Sequence, residues 1–267
     1  MSLIGMPFIR LLIAIAISLT LYLTPTAPTS AEPPTHSPTE LQWTYERDKG
    51  PTHWAELDDR FATCASGKAQ SPIDLVGAQS ADLLNPEFHY QPAPLNLLNN
   101  GHTVQVPYAP GSYFVLEGDR YDLRQFHFHS PSEHAINSQA QTAELHLVHQ
   151  NEAGQLAVVA VLIKADNASE KTDYTALSNN LPAHTGDKVR TGQQINARSL
   201  LPEQTTTYRY SGSLTTPPCT ESVTWLVMSE PVALTTQELS KYETLLNHNN
   251  RPLQLRNQRA VQLDTSL

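Results

Sequence analysis

Two short stretches of alternating residues restrict the fold of this chain more than any other feature of its sequence. Residues Gln125–His129 read QFHFH and residues Glu144–Val148 read ELHLV, so side-chain character alternates with a period of two in both. This alternation predicts a pair of half-buried β-strands. Residues two apart share one face of a strand. The two faces of interest are Gln125, His127 and His129 on the first strand, and Glu144, His146 and Val148 on the second.

If the two strands are antiparallel neighbours, three imidazoles converge: those of His127, His129 and His146. Three neutral imidazoles with a fourth position open form a catalytic zinc site, since a structural zinc site would need a fourth protein ligand. Gln125 and Glu144 each lie two residues from a ligand and are expected to accept the free ring N–H of a histidine. The alternative is a strand pair that carries surface histidines. Three histidines in register with a Gln and a Glu favour the metal site.

The N-terminus reads as a secretory signal peptide at residues 1–31. Arg10 is followed by an uncharged apolar run of 13 residues, Leu11–Leu23, and then by small residues up to Ala31. The run is shorter than the roughly 20 residues that span a membrane, so an uncleaved anchor is the less favoured alternative. Cleavage is expected after Ala31, with Ala27 as a second option.

Residues 32–40 are rich in proline and threonine and are predicted to be a disordered linker ahead of one folded domain at residues 41–267. The chain has 17 Lys and Arg against 26 Asp and Glu, and cleavage of the signal peptide would remove one of the basic residues. There is no basic run that could attract nucleic acid or anionic lipid, so neither is an expected partner.

Cys64 and Cys219 are the only two cysteines in the sequence. An even count in an exported protein predicts that they pair as a disulfide, because compartments outside the cytosol are oxidising. The alternative is that both are buried thiols. The export signal favours the disulfide.

The remaining chain reads as short strands between clusters of Pro, Gly and Asn, which is typical of a largely antiparallel sheet. Helical signals are few: Thr235–Glu238 fits a capping box, and Ser169–Leu177 is a candidate for a second short helix. The predicted strands are Thr103–Val106, Tyr113–Glu117, Leu123–His129, Ala143–His149, Leu156–Lys164, Thr206–Tyr210 and Val223–Met228.

Several longer motifs, taken together, indicate a family. They are QFHFH at Gln125–His129, SEH at Ser132–His134, AELHLVH at Ala143–His149 and GSLTTPPC at Gly212–Cys219, with supporting segments GPTHW at Gly50–Trp54, QSPIDL at Gln70–Leu75, NNGH at Asn99–His102 and NNRP at Asn249–Pro252. In this order and at these separations they resemble the alpha-class carbonic anhydrases, in particular exported bacterial members. The resemblance extends from Trp43 to Val261, nearly all of the mature chain.

The resemblance implies a mainly β fold, a single domain around a twisted, mostly antiparallel sheet of about ten strands with a few short peripheral helices. It implies a zinc ion at the bottom of a conical cleft, held by His127, His129 and His146, the set that strand geometry also predicts. The groups implied to hold the ligand rings are the side chains of Gln125 and Glu144 and the backbone carbonyl of Asn249.

The activity implied is reversible hydration of CO2 to bicarbonate and a proton, by attack of a zinc-bound hydroxide. Thr215 matches the threonine that accepts a hydrogen bond from this hydroxide, and Glu133 matches the carboxylate that accepts the threonine's own proton. A threonine hydroxyl has one proton, so only acceptor lone pairs remain toward the metal. His102 occupies the proton-shuttle position, which suits histidine because its ordinary pKa is near neutral. Without the family register, Thr215 reads equally well as a turn residue, and for His102, which follows Asn-Asn-Gly, the turn interpretation is the favoured one.

The resemblance also assigns the walls of the cleft. CO2 is expected against an apolar pocket beside Thr215 and Thr216, formed by Val148, Val158, Leu214 and Trp225, each of which also reads as ordinary core. The polar side, which would order a water chain, comprises Tyr45, Asn100, Gln105 and Thr216. Cys64 and Cys219 match the disulfide of exported members. The Ser71–Pro72 and Pro217–Pro218 peptide bonds are expected to be cis.

Departures from the family pattern lie at the cleft rim. After His129 the chain continues Ser130–Pro131–Ser132, where animal members usually carry a Trp-Gly pair and a longer insertion.

Taken together, the motifs and the export signal predict an exported carbonic anhydrase, periplasmic or secreted. It is expected to act on CO2 and bicarbonate as a monomer or homodimer with no stable membrane anchor. Zinc-dependent ester hydrolysis is a second enzyme interpretation. A non-catalytic zinc-binding or interaction protein on the same fold is the alternative of another class.

Overall fold

The computed structural model of the protein describes residues 43–166 and 172–266. The predicted signal peptide at residues 1–31, the predicted linker at residues 32–40 and the first residues of the helix predicted at Ser169–Leu177 lie outside the described residues. Within these ranges, no helix has the length and apolar character needed to cross a membrane.

Strands dominate the described residues, and the helices are short. The strands are β1 (Gln79–Ala81), β2 (Glu87–His89), β3 (Ala93–Asn99), β4 (Val104–Pro107), β5 (Tyr113–Leu116), β6 (Asp119–His129), β7 (Ala135–Ile136), β8 (Gln139–Ala140), β9 (Ala143–Gln150), β10 (Leu156–Ala165), β11 (Lys188–Ile195), β12 (Thr207–Ser213), β13 (Glu221–Met228), β14 (Val232–Leu234) and β15 (Gln262–Asp264). The α-helices are α1 (Trp54–Leu57), α2 (Thr63–Ser66), α3 (Thr172–Ser178) and α4 (Thr236–Leu246), with 3₁₀ turns at Arg47–Lys49, Asp59–Phe61 and Ala197–Leu200.

Among the described residues, 13 strands form one large twisted sheet, in which ten follow the path β1-β15-β12-β13-β10-β9-β6-β4-β3-β11. Three pairs are parallel, namely β1 with β15, β10 with β13 and β10 with β14, while the other pairs of this sheet are antiparallel. β7 and β8 form a separate pair. The prediction of a mainly β domain around a mostly antiparallel sheet is confirmed.

β6 and β9 are antiparallel neighbours on this path. His127 lies opposite His146, His129 lies opposite Glu144, and the side chains of paired residues project from the same face. The pairing therefore places imidazoles from the two strands side by side on one face of the sheet.

The two faces of β6 differ in polarity because its residues alternate. Phe126 and Phe128 are fully buried in the larger core cluster, where Phe128 packs against Tyr242 of α4 with ring centroids 4.7 Å apart. The histidines project from the opposite face, where the His146 ring lies 4.9 Å from that of Trp225. Burial of the aromatic face anchors the strand and leaves the other face available for a polar site.

α4 begins with the predicted capping box. The Thr235 hydroxyl accepts from the Glu238 N–H at 3.2 Å, and the Glu238 carboxylate accepts from the Thr235 N–H at 3.1 Å. The helix ends at Leu246, and Asn247 adopts a left-handed conformation with φ 45°. Two residues later the backbone of Asn249 contacts the site face of β6.

Cys64 of α2 and Cys219 of the loop between β12 and β13 form a disulfide. The predicted pairing is confirmed and the buried-thiol alternative is wrong. Ser71–Pro72 and Pro217–Pro218 are cis as expected, and a third cis bond, which was not predicted, occurs at Ser130–Pro131.

Candidate metal centre

Three histidine rings meet on the polar face of β6 and β9. One nitrogen from each of His127, His129 and His146 lies within 4.8 Å of the other two. His129 and His146 are each 1% exposed, and His127 is partly buried. These are the three residues that the sequence alternation selected as metal ligands.

The second nitrogen of each ring has an oxygen partner that can only accept a hydrogen bond. That ring nitrogen therefore carries the hydrogen, and the nitrogens that face one another keep their lone pairs. The three contacts are His127 Nδ1 to Gln125 Oε1 at 2.9 Å, His129 Nδ1 to the Asn249 carbonyl at 2.7 Å and His146 Nε2 to Glu144 Oε1 at 2.8 Å.

The nitrogens that face one another fit a divalent metal. Burial lowers the pKa of His129 to about 4, and burial also lowers the pKa of His127 and of His146, so all three rings are neutral at pH 7. Nε2 of His129 is buried without a hydrogen-bond partner in the described part of the chain. Such an atom is costly to bury unless it binds a further group, and three neutral imidazole donors suit zinc.

Glu144 is a fully buried acceptor behind this centre. Besides His146, its Oε1 accepts from His134 Nδ1 at 2.6 Å, and its Oε2 accepts the N–H groups of Glu133 at 2.8 Å and His134 at 2.7 Å. Burial acts to raise the pKa of Glu144, but the neighbouring His134 and His146 hold it well below its ordinary value. The carboxylate is therefore ionised and fixed in orientation.

A chain of hydroxyl groups continues behind His134, and sequence reasoning missed it. His134 Nε2 lies 2.7 Å from the Tyr210 hydroxyl, which lies 2.8 Å from Ser71 Oγ. Because His134 Nδ1 donates to Glu144, its Nε2 accepts from Tyr210, and Tyr210 in turn accepts from Ser71. A side chain at Gly212 would collide with Ser71 Oγ, so glycine is required at this close approach.

Glu133 lies beside the nitrogens that face the centre. Its Oε2 is 3.6 Å from His129 Nε2 and 3.9 Å from His146 Nδ1, and its Oε1 accepts the Arg251 N–H at 2.8 Å. Burial raises the pKa of Glu133 to about 7, while His146, the Arg251 N–H and the nearby Thr215 hydroxyl act to lower it. Oε2 of Glu133 is buried without a hydrogen-bond partner in the described part of the chain, so it is the oxygen left for Thr215, the partner that the family resemblance assigns.

Arg251 is a second buried residue that sequence reasoning missed. Its Nη1 donates to Gln70 Oε1 at 2.9 Å and to the Ser71 carbonyl at 2.8 Å, and its Nη2 donates to the Cys64 carbonyl at 2.8 Å. Burial lowers the pKa of the guanidinium to about 10, so it is charged at neutral pH. The NNRP motif contains Arg251, which is the sequence signal that could have drawn attention to it.

The loop that carries Thr215 is held by its own main chain. Leu214 N–H donates to the Thr220 carbonyl at 2.9 Å, and Cys219 N–H donates to the Thr216 carbonyl at 2.8 Å. Thr215 is 5% exposed. The disulfide at Cys219 holds the far end of the same loop.

The four apolar residues assigned to the CO2 pocket lie in one cluster beside the ligand face. Val158 and Trp225 are buried in it, and Val148 and Leu214 pack against them with partial exposure. The structure therefore brings all four together next to His146.

His102 lies in the turn that links β3 to β4, in the loop at residues 99–103. Asn100 Oδ1 accepts the N–H groups of His102 and Thr103, both at 2.9 Å, and Gly101 adopts φ 87°, which favours glycine. The His102 ring stacks on Trp43, with centroids 3.8 Å apart and planes 7° from parallel.

The residues assigned to the water chain lie near the same loop. Asn100 Nδ2 is 3.5 Å from Gln105 Oε1, while burial and the charge of Glu133 raise the pKa of the partly buried Tyr45. A cavity of about 620 Å³ is lined by Tyr45 and His102 among other residues. It is large enough for several waters.

These arrangements define the class of the protein: a domain in which three histidines that could bind a metal lie on a mixed β-sheet. The sequence matches the family described as eukaryotic-type carbonic anhydrase over residues 49–265. The chain belongs to this family, as its motifs indicated, and is a carbonic anhydrase that acts on CO2 and bicarbonate.

Individual relatives agree with the family match. The chain is 37% identical to a carbonic anhydrase of Klebsiella pneumoniae over 222 residues, 82% of this chain and 89% of the relative. It is 40% identical to a carbonic anhydrase of a Nostoc species over 230 residues, 83% of this chain and 85% of the relative. A solved hyperthermostable carbonic anhydrase from a hydrothermal vent chimney superposes with a TM-score of 0.80 at 39% identity, covering 84% of this chain and 100% of that one.

Proposed function

We propose that this carbonic anhydrase is zinc-dependent and that His127, His129 and His146 hold the metal. The observation that carries the proposal is the convergence of three neutral imidazole nitrogens, one of them buried without a partner among the described residues. A metal with three protein ligands keeps a fourth position open for reaction. The groups that would hold the rings in place are Gln125, Glu144 and the carbonyl of Asn249.

When bound, zinc would lower the pKa of a coordinated water to about 7, the value known for carbonic anhydrase, and so supply a nucleophile at neutral pH. The protein's own residues would orient that nucleophile. Thr215 would give its hydroxyl proton to Oε2 of Glu133, since Oε1 is occupied by the Arg251 N–H and Oε2 has no other hydrogen-bond partner among the described residues. Thr215 then presents only lone pairs toward the metal, which favours a hydrogen-bond donor there.

We assign the CO2 site to the apolar wall formed by Val148, Val158, Leu214 and Trp225, with Thr216 at its edge. CO2 carries no charge, and an apolar surface beside the ligands can bind it without hydrogen bonds. The charged product is poorly suited to the same wall, which assists its release.

We assign proton export to His102, acting through water ordered by Tyr45, Asn100, Gln105 and Thr216. Histidine can accept and release a proton near neutral pH. The cavity beside His102 supports access of buffer to this residue; none of the three proposed ligands lines it.

We further propose that the protein is exported, with a signal peptide at residues 1–31, a linker at residues 32–40 and the catalytic domain at residues 41–267. The Cys64–Cys219 disulfide supports export to an oxidising compartment, either the periplasm or the medium. After cleavage the protein would have no stable membrane anchor and would act as a monomer or homodimer.

The test is stopped-flow CO2 hydration on the mature chain before and after removal and re-addition of zinc. Fast hydration that is lost with zinc and restored with it is the expected result. Stoichiometric zinc without hydration would contradict the catalytic assignment and favour a zinc-binding protein on this fold.

A further inference from the structure

The side chain of Asn249 makes contacts that its backbone role does not require. The backbone carbonyl of Asn249 accepts from the ring of His129. Separately, Nδ2 donates to the His102 carbonyl at 3.0 Å and to the Phe128 carbonyl at 2.9 Å, and Oδ1 accepts the Ser130 N–H at 2.9 Å. The residue is 2% exposed, so these bonds form away from competing water.

These side-chain contacts join two segments that are distant in sequence. Phe128 and Ser130 flank the ligand His129, whereas His102 lies in the loop at residues 99–103. A single amide group therefore connects the strand that carries a metal ligand to the main chain of the histidine assigned to proton transfer.

The carboxamide of asparagine suits this junction. It has two N–H donors and a carbonyl acceptor on a short, planar side chain. Aspartate would keep the acceptor for Ser130 but lose both donors, and alanine would lose all three bonds. In each variant the backbone carbonyl at position 249 would still be available to His129.

The hydrogen bond from Asn249 restrains the main chain of His102 from outside the loop. The Asn100 side chain that holds the His102 N–H belongs to the loop and moves with it. Thr103 Oγ1 ties the end of the loop to the Phe128 carbonyl at 2.6 Å. Asn249 holds the carbonyl of His102 itself, and so sets the distance of its Cα from the ligand strand.

We propose that the Asn249 side chain is a positioning residue for proton transfer. By holding the main chain of His102 against β6, it keeps the length of the water path between His102 and the metal constant. This inference rests on the proposed shuttle role of His102. We expect its effect to fall on proton transfer, because the ring of His129 is bonded to the backbone carbonyl of Asn249 and not to its side chain. Phe128 and Ser130, which also bond the side chain, keep other partners in Leu145 across the sheet, Thr103 Oγ1 and the Thr142 carbonyl.

The test compares Asn249→Ala with His102→Ala and with the control Asn247→Ala, which removes a nearby asparagine side chain that donates to Glu46 Oε1. Oxygen-18 exchange measures CO2–bicarbonate interconversion separately from proton-dependent release of labelled water. We expect Asn249→Ala to slow the proton-dependent step by about tenfold, in line with the sensitivity of proton transfer to small displacements. Interconversion and zinc content should match those of the wild type, and imidazole buffer should restore the slowed step.

A second readout does not depend on activity. Hydrogen exchange followed by mass spectrometry should show faster exchange at residues 99–103 in Asn249→Ala, with residues 125–129 unchanged. Asn247→Ala should leave both segments and both rates as in the wild type. Asn249→Asp keeps the acceptor for Ser130 and serves as a second variant with the same expected pattern if Asn249→Ala does not fold.

The outcomes distinguish the inference from the proposed function. If His102→Ala leaves the proton-dependent step unchanged, the shuttle assignment and the inference both fail. If His102→Ala slows that step but neither Asn249 variant does, the inference alone is overturned. Equal losses in both steps, or loss of zinc in both Asn249 variants, would show a purely structural role and would also overturn it.

Discussion

The residues behind the metal ligands and the loop that carries His102 are held in different ways. Glu133, His134 and Glu144 are each at most 2% exposed, and Glu144 accepts four N–H groups. In the loop at residues 99–103, His102 is partly exposed, and side-chain amides of Asn100 and Asn249 hold its main chain. We call the first set of residues, with Tyr210 and Thr215, the inner wall, and residues 99–103 the rim loop.

The difference follows from what each region must do. A buried carboxylate is stabilised when its oxygens accept hydrogen bonds, and the four N–H groups that Glu144 accepts fix its orientation. A group that exchanges protons with buffer must reach solvent, so the rim loop is exposed in its middle, at Asn100 and Gly101, while its ends at Asn99 and Thr103 are buried. Changes to the inner wall should affect metal binding or the nucleophile, and changes to the rim loop should affect proton release.

The largest effect is expected from loss of a ligand. His129→Ala removes one of three metal donors, so bound zinc should fall below stoichiometric and kcat/KM should fall by at least about 10³-fold. Metal analysis and stopped-flow hydration check this. His89→Ala, an exposed histidine on β2, is the control and should behave as the wild type. Full zinc content with wild-type turnover in His129→Ala would remove it from the ligand set.

Thr215→Ala should give the next largest effect. Loss of the hydroxyl removes the group that orients the nucleophile, and we expect kcat/KM to fall by about 10²-fold with zinc content unchanged. The same substitution at the exposed Thr220 of this loop is the control. Turnover equal to that of the wild type would exclude a role for Thr215 in the reaction. Loss of zinc would instead place Thr215 among the groups that support the ligands.

Glu144→Gln tests the charge of the inner wall. The glutamine amide would place an NH2 group against N–H donors that the carboxylate oxygens now accept. The ring of His146 would then lose the bond that orients it. Zinc affinity should fall by about 10- to 100-fold, measured by competition with a chelator. Glu152→Gln, in the exposed turn after β9, makes the same chemical change and should leave affinity unaltered. Equal affinity in Glu144→Gln would show that the ionised carboxylate is not needed.

The smallest effect is expected in the rim loop. His102→Ala should lower kcat in weak buffer by about tenfold while zinc affinity remains that of the wild type, because the metal centre is untouched. Added imidazole should restore the rate. If His102→Ala altered zinc affinity, the separation between inner wall and rim loop would be wrong.

Most strands that position the site were predicted within a few residues. β6, β9, β10 and β13 have strong apolar alternation or continuous apolar runs, and burial of those side chains stabilises them. β11 was missed. It is an edge strand with mostly exposed side chains, so main-chain hydrogen bonds to β3 hold it rather than any pattern of its own residues.

The sequence by itself determined the elements with a local cause. His127 and His129 share a face because side chains alternate along a strand, and the pairing of the two cysteines was predicted from their number together with the predicted export signal. Only the tertiary structure decided which distant groups complete the centre. Tyr210 and His134 are 76 residues apart and Asn249 and His102 are 147 apart. No periodicity links such pairs, because packing of separate strands and loops brings them into hydrogen-bonding distance.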